Sequence, residues 1–161
     1  MKITLLIFDS SDEVVGKLQT AFRGRPELLA RQLQPSEIPT LQELDALYLT
    51  LPAAERWNPR LIFYESQVLK TKPQDSGWPL HVVTGIAMKR DDPRASDPEA
   101  ELKLTMKAVL DAIESYNHAN QNSIRTVGFW TENLGIKHID VPIAGEIIRS
   151  AYDQHYRQNR S

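Results

Sequence analysis

Few residues of this chain stand at a spacing that does chemistry by itself. His81, His118, His138 and His155 lie far apart and show no zinc-ligand spacing, so core or surface roles are their default. His138 and Asp140, two positions apart, have the makings of a base and the group that orients it. No serine or cysteine nucleophile stands in a recognisable elbow beside them, which leaves the pair little weight. Asp91, Asp92 and Asp97 gather acids in one stretch without the ligand alternation and central glycine of a calcium loop, and they read as solvated acids. Gly128, inside a β-rich run, marks a bulge or a close approach of another group, with packing the simplest cause. The chain has no cysteine, which excludes disulfides, thiolate metal sites and a cysteine nucleophile and fits a reducing, cytoplasmic compartment.

The elements that must position these residues follow from hydrophobic periodicity and its punctuation. Ile3 to Phe8 is a short continuous apolar run, as expected of a strand covered on both faces. Ser10 and Glu13 have capping-box spacing, Val14, Leu18, Ala21 and Phe22 mark a helical face, and Gly24 is a stop. Leu28 to Leu33 is read as a strand because Pro35 and Pro39 leave room for little more than one helical turn. Leu44 to Leu51, Leu61 to Leu69 and Leu80 to Met88 are rich in strand formers, with a turn over Lys70 to Gly77. Ser96 with Glu99 is a second candidate cap. It opens the clearest amphipathic helix, with Leu102, Met106, Val109, Leu110, Ile113 and Tyr116 on one face. Ser123 to Trp130 gives a strand, and Asp140 caps a closing helix that turns Ile143, Ala144, Ile147, Ile148, Ala151 and Tyr152 inward. The polar tail from Asp153 to Ser161 is expected to fray.

A chain of 161 residues buries roughly two-thirds of its unfolded surface around one core, and no repeat or linker divides residues 1–161. Apolar residues at 41% and charged residues at 25% are ordinary for a folded domain. A formal charge of −2 supplies no positive field for nucleic acid or an anionic membrane. The six-residue apolar start, followed by Asp9, suits neither a signal peptide nor a spanning helix. One α/β domain with a mixed sheet covered by helices is the economical architecture.

The order of the pieces carries more than any single motif. Met1-Lys2-Ile3-Thr4-Leu5-Leu6 leads to a helix ending at Phe22, then Glu37-Ile38, then Asp45 to Ala54 running through a buried strand into a loop of small residues. The second half continues with Leu80 to Met88, a helix containing Ala108-Val109-Leu110, Ser123 to Val127, and a loop leading to Ala144 and Ala151-Tyr152. This succession, over nearly the whole chain, resembles the macro domains, particularly the branch met in bacterial and phage tail-associated proteins. The resemblance implies a single three-layer α/β/α domain and a site for ADP-ribose or a related nucleotide metabolite.

Residue by residue, the resemblance puts Glu37, with Ile38 after it, where an acidic side chain takes the adenine amino group. Ala54 of Pro52-Ala53-Ala54 falls where an asparagine meets the distal ribose, and a methyl group makes no hydrogen bond. The loop Thr131-Glu132-Asn133-Leu134-Gly135-Ile136 stands where glycine N–H groups cradle the diphosphate, yet only Gly135 matches. Glu132 opposes an anion there, and Lys137 could offset it. Trp57 and Trp130 could stack on a ring, although closing the ends of the core explains them more simply. Three readings follow: a binding module for ADP-ribose or a nucleotide, a structural or protein-interaction scaffold with a degenerate pocket, and a hydrolase acting on ADP-ribose derivatives, for which no base is assigned. The departures weigh against catalysis, and no cofactor, metal, nucleic acid or membrane partner is expected.

Overall fold

The computed structural model describes residues 2–72, 74–121 and 123–158. Its strands are β1 (Thr4–Asp9), β2 (Leu28–Gln32), β3 (Ala46–Leu49), β4 (Val68–Lys70), β5 (His81–Thr84) and β6 (Thr126–Trp130). Its long helices are α1 (Asp12–Ala21), α2 (Pro98–Ala119) and α3 (Val141–Gln158). The strands form one mixed sheet in the order β2-β1-β6-β3-β5-β4, parallel throughout except for the antiparallel edge strand β4.

Alternation along the strands sorts their side chains into two cores. Ile3, Leu5, Ile7, Tyr48, Val83, Val127 and Phe129 face the helical layer and meet Leu18, Met106, Leu110, Ile113, Ala144 and Ile148. Leu6, Phe8, Leu47, Leu49 and Val82 face the opposite layer, where Ile38, Leu44, Ala54 and Trp57 cover them. That third layer consists of loops and of 3-10 turns at Pro35–Thr40 and Glu55–Trp57. The domain is therefore an α/β fold in which both faces of the central sheet are covered, with all three α-helices on one face. Gly128 lies where Leu44 and Phe8 press on the sheet, and a Cβ there would stand 2.8 Å from Leu44 Cδ1. Packing thus accounts for that glycine.

Several boundaries differ from the expectations, each for a local reason. Ser11, rather than Ser10, caps α1 by accepting from the Val14 N–H at 3.4 Å, because Asp9 takes the Ser11 N–H at 2.7 Å and turns the chain there. Val15, not Val14, is the buried valine of α1. Asp97, rather than Ser96, caps α2, accepting from Glu99 and Ala100 at 3.1 and 3.4 Å. Asp92 is not a solvated acid either: it receives the Tyr64 hydroxyl at 2.6 Å and Arg94 at 2.7 Å, and these bonds hold its carboxyl well below the usual range. The expected strand over Leu61–Leu69 shrinks to β4. Tyr64, at φ 65°, breaks the extended path, and before it only a single bridge joins Phe63 to Ala87. Ile143 points outward from α3 at 42% exposed. Within the expected turn Lys70–Gly77, Pro73 lies outside the described residues, as do residues 159–161 of the tail.

The rest of the tail is anchored rather than frayed. The Tyr156 hydroxyl accepts the Ile3 N–H at 2.6 Å, and the Tyr152 hydroxyl donates to the Ile3 carbonyl at 2.8 Å. Asp153 receives two bonds from Arg25 at 2.8 and 2.9 Å, which holds its carboxyl below the ordinary value. His155 is buried between Asp111 and Glu114 of α2, at 3.4 and 3.5 Å.

At the start of β5, the buried His81 ring has Nδ1 3.3 Å from the Asp45 carbonyl and Nε2 2.9 Å from the Tyr116 hydroxyl. A carbonyl only accepts, so Nδ1 carries the proton and Nε2 accepts from Tyr116. Burial holds this imidazole below its usual value of 6.5; Lys70 adds to the effect, while the Asp45 carbonyl opposes it. The unfolded chain therefore binds more protons than the folded one once the pH drops below about 6.5, and stability should fall from there. Urea midpoints at pH 7.5 and 5 are expected to differ less in His81→Gln than in the wild type. Equal differences would show that His81 contributes nothing to the acid sensitivity.

Candidate functional site

Five parallel strands end on the same side of the sheet, and in open α/β sheets ligands bind outside the carboxyl ends of the strands. A cleft of about 580 Å³ opens there. Beyond β3 it is lined by Thr50 to Pro52, beyond β5 by Gly85 and Ile86, and beyond β6 by Glu132 to Gly135 with His138; the first turns of α2 close it with Pro98, Glu101 and Thr105.

Besides Thr50, two hydroxyl-bearing residues line this cleft. Tyr48 belongs to β3 and is 3% exposed, its ring stacked on Phe129 with centroids 5.3 Å apart. Its hydroxyl fits because residue 85 is glycine: a Cβ there would stand 2.6 Å from Tyr48 Oη. Thr105, on α2, is 5% exposed. Neither hydroxyl has a hydrogen-bond partner among the described residues, and neither is sealed from solvent. Burial first, and the Glu101 carboxylate second, push ionisation of the Tyr48 phenol far above the ordinary range. Tyr48 is therefore a neutral group able both to donate and to accept.

The loop after β6 coils into consecutive 3-10 turns at Thr131–Leu134 and Ile136–His138, joined by Gly135 at φ 69°. The Gly135 N–H bonds to the Glu132 carbonyl at 3.1 Å and the His138 N–H to the Gly135 carbonyl at 3.0 Å. These donors are not free for a diphosphate. Glu132 faces Lys137 and the Trp130 indole, each at 3.4 Å.

The cleft brings together Pro52, Glu132, Asn133, Leu134 and Gly135 of the positions expected from sequence, and leaves the others elsewhere. Glu37 is an exposed residue whose carboxylate accepts the Gln34 N–H at 3.4 Å inside a 3-10 turn, and Ile38 is core. Ala53 is exposed beside the cleft residues, with its N–H 3.4 Å from Thr50 Oγ1. Ala54 is fully buried beneath the sheet, and Ile136 is buried on the helical side. Thr131 is buried too, its hydroxyl donating to Asp9 at the end of β1, which ties the loop to the sheet.

Trp57 is core at the sheet's second face and donates to Asp75 at 2.9 Å. Among the described residues no hydrogen bond joins His138 to Asp140, and no group of acids and histidines could hold a metal ion. Tyr48 and Thr105 escaped notice because strand and helix periodicity assign both to the core. The small residue at position 85, after a strand, is the one sequence signal that the end of Tyr48 needs room. No helix among the described residues is long and apolar enough to cross a membrane. Comparison with known proteins finds no match among family models, curated proteins or solved structures.

Proposed function

We propose that the chain is a binding module for a nucleotide metabolite of the ADP-ribose kind, held in the cleft beyond β3, β5 and β6. The observation that carries this reading is that Tyr48 and Thr105, buried residues on the cleft wall, have solvent-reached hydroxyls without a hydrogen-bond partner among the described residues. A hydroxyl both donates and accepts, so two that make no hydrogen bond to the described residues suit a polar ligand. The macro-domain resemblance suggests which ligand to try first. Isothermal titration with ADP-ribose is expected to give saturable heat, weakened at least tenfold in Tyr48→Phe, the loss of roughly one charge-free hydrogen bond at about 1.4 kcal/mol. Glu37→Ala, whose side chain lies outside the cleft, should bind as the wild type does. Absence of heat at millimolar ligand would end the reading.

A protein-interaction scaffold is the second reading. It is favoured by Ala54, which is folded into the core where a ribose contact was expected, and by Leu61, Ile62 and Phe63, exposed at 74, 37 and 43%. Catalysis forms no part of the proposal.

A further inference from the structure

We propose that a second groove, between α2 and the edge of the sheet at β4, binds a linear aliphatic amine that carries two or more ammonium groups. The groove holds about 540 Å³ and shares no lining residue with the cleft beyond β3, β5 and β6. Ala108, Ala112, Ser115 and Ala119 form its helical wall. Spaced at i, i+4, i+7 and i+11, they occupy one face of α2 and line about 16 Å of it with small side chains, which leaves room for an extended chain of methylene groups.

The opposite wall supplies a polar group that calls for a ligand. Val68 packs into the helical core and Leu69 into the opposite one, so alternation places Ser66 on the α2 side with Val68, and both line the groove. Ser66 is 9% exposed, and its Oγ is the one buried side-chain polar atom among the described residues with no hydrogen-bond partner. A buried hydroxyl left unmet costs free energy that a donor in the groove recovers.

The charge of the walls selects the donor. Glu65 and Asp111 line the groove, and no lysine, arginine or histidine is among its described lining residues. Asp111 pairs with Lys107 at 2.9 Å and meets His155 at 3.4 Å, while Glu65 makes no hydrogen bond or ion pair among the described residues. Asn120, the C-cap of α2, also lines the groove, and there the terminal carbonyls of the helix add partial negative charge. An ammonium group donates three hydrogen bonds and accepts none, which matches carboxylates and an open hydroxyl; the methylene chain matches the alanines.

Titration calorimetry with spermidine at pH 7.5 and physiological salt is expected to show one saturable site per chain. Glu65→Gln should weaken it at least fivefold, and Ala112→Leu, which fills the groove and is checked for folding by circular dichroism, at least tenfold. Ser66→Ala should weaken it at least threefold without lowering the urea midpoint of the free protein, since no hydrogen bond within the fold is lost. Absence of heat at millimolar spermidine, or an affinity that any of the three variants leaves unmoved, overturns the inference. Equal binding of octane-1,8-diol, which has no charge, or of Nα-acetyl-lysine amide, which has one, overturns it as well. None of these outcomes bears on ADP-ribose, whose cleft is separate.

Discussion

Phe129→Ala is expected to lower the unfolding free energy by about 4 kcal/mol, the usual cost of deleting a buried aromatic ring. Phe129 is fully buried in β6, which lies between β1 and β3, and its ring stacks on Tyr48 at an interplanar angle of 28°. The void would therefore open beside the Tyr48 ring, which lines the cleft. Urea denaturation should show a lower midpoint with an unchanged slope, and ligand binding should weaken in the same variant because Tyr48 loses its backing. A stability loss below about 1 kcal/mol would mean that the core around β6 collapses to fill the space.

Asn117→Ala should cost about 3 kcal/mol, although the residue belongs to no site. Its amide is buried near the end of α2, donating to the Ile124 carbonyl at 2.7 Å and accepting the Ile124 N–H at 2.9 Å. One side chain thus satisfies both backbone groups of a residue that enters the core just before β6. Truncation leaves a donor and an acceptor buried without partners, each at roughly 1–3 kcal/mol. Asn117→Asp should be destabilising as well, since a carboxylate would face the Ile124 carbonyl. Denaturant midpoints for both variants check this; a wild-type midpoint in Asn117→Ala would show that water replaces the amide.

What could be read from sequence was governed by periodicity. The run at Ile3–Phe8 covers all of β1 but Asp9, those at Leu44–Leu51 and Leu80–Met88 contain β3 and β5, and the face from Leu102 to Ile113 is the buried stripe of α2. Leu61–Leu69 misled because its composition is that of a strand while its first side chains are not covered: Leu61, Ile62 and Phe63 are exposed, and composition does not report what lies opposite. Caps slipped by one residue wherever two competent side chains were adjacent, as at Ser10-Ser11 and Ser96-Asp97. The candidate site was legible only in part. The loop after β6 was recognised, but whether its N–H groups face outward depends on how it coils, and two 3-10 turns direct several of them inward. Tyr48 and Thr105 carry ordinary core periodicity, and only the third dimension shows both residues on the cleft wall.

The anchoring of Ile3 by Tyr152 and Tyr156 bears on the order in which the molecule can assemble during synthesis. Among the described strands β1 precedes all others, yet its partner β6 follows them, with the helix that fastens it later still: Asp9 and Thr131 are 122 residues apart. At roughly 5–20 residues per second, β1 waits on the order of 10 s for that partner. Until then β1 has only β2, on its outer edge, so a ribosome-bound chain halted before β6 would present the inner edge of Leu5, Leu6, Ile7 and Phe8 unpaired, the form in which apolar strands find wrong partners.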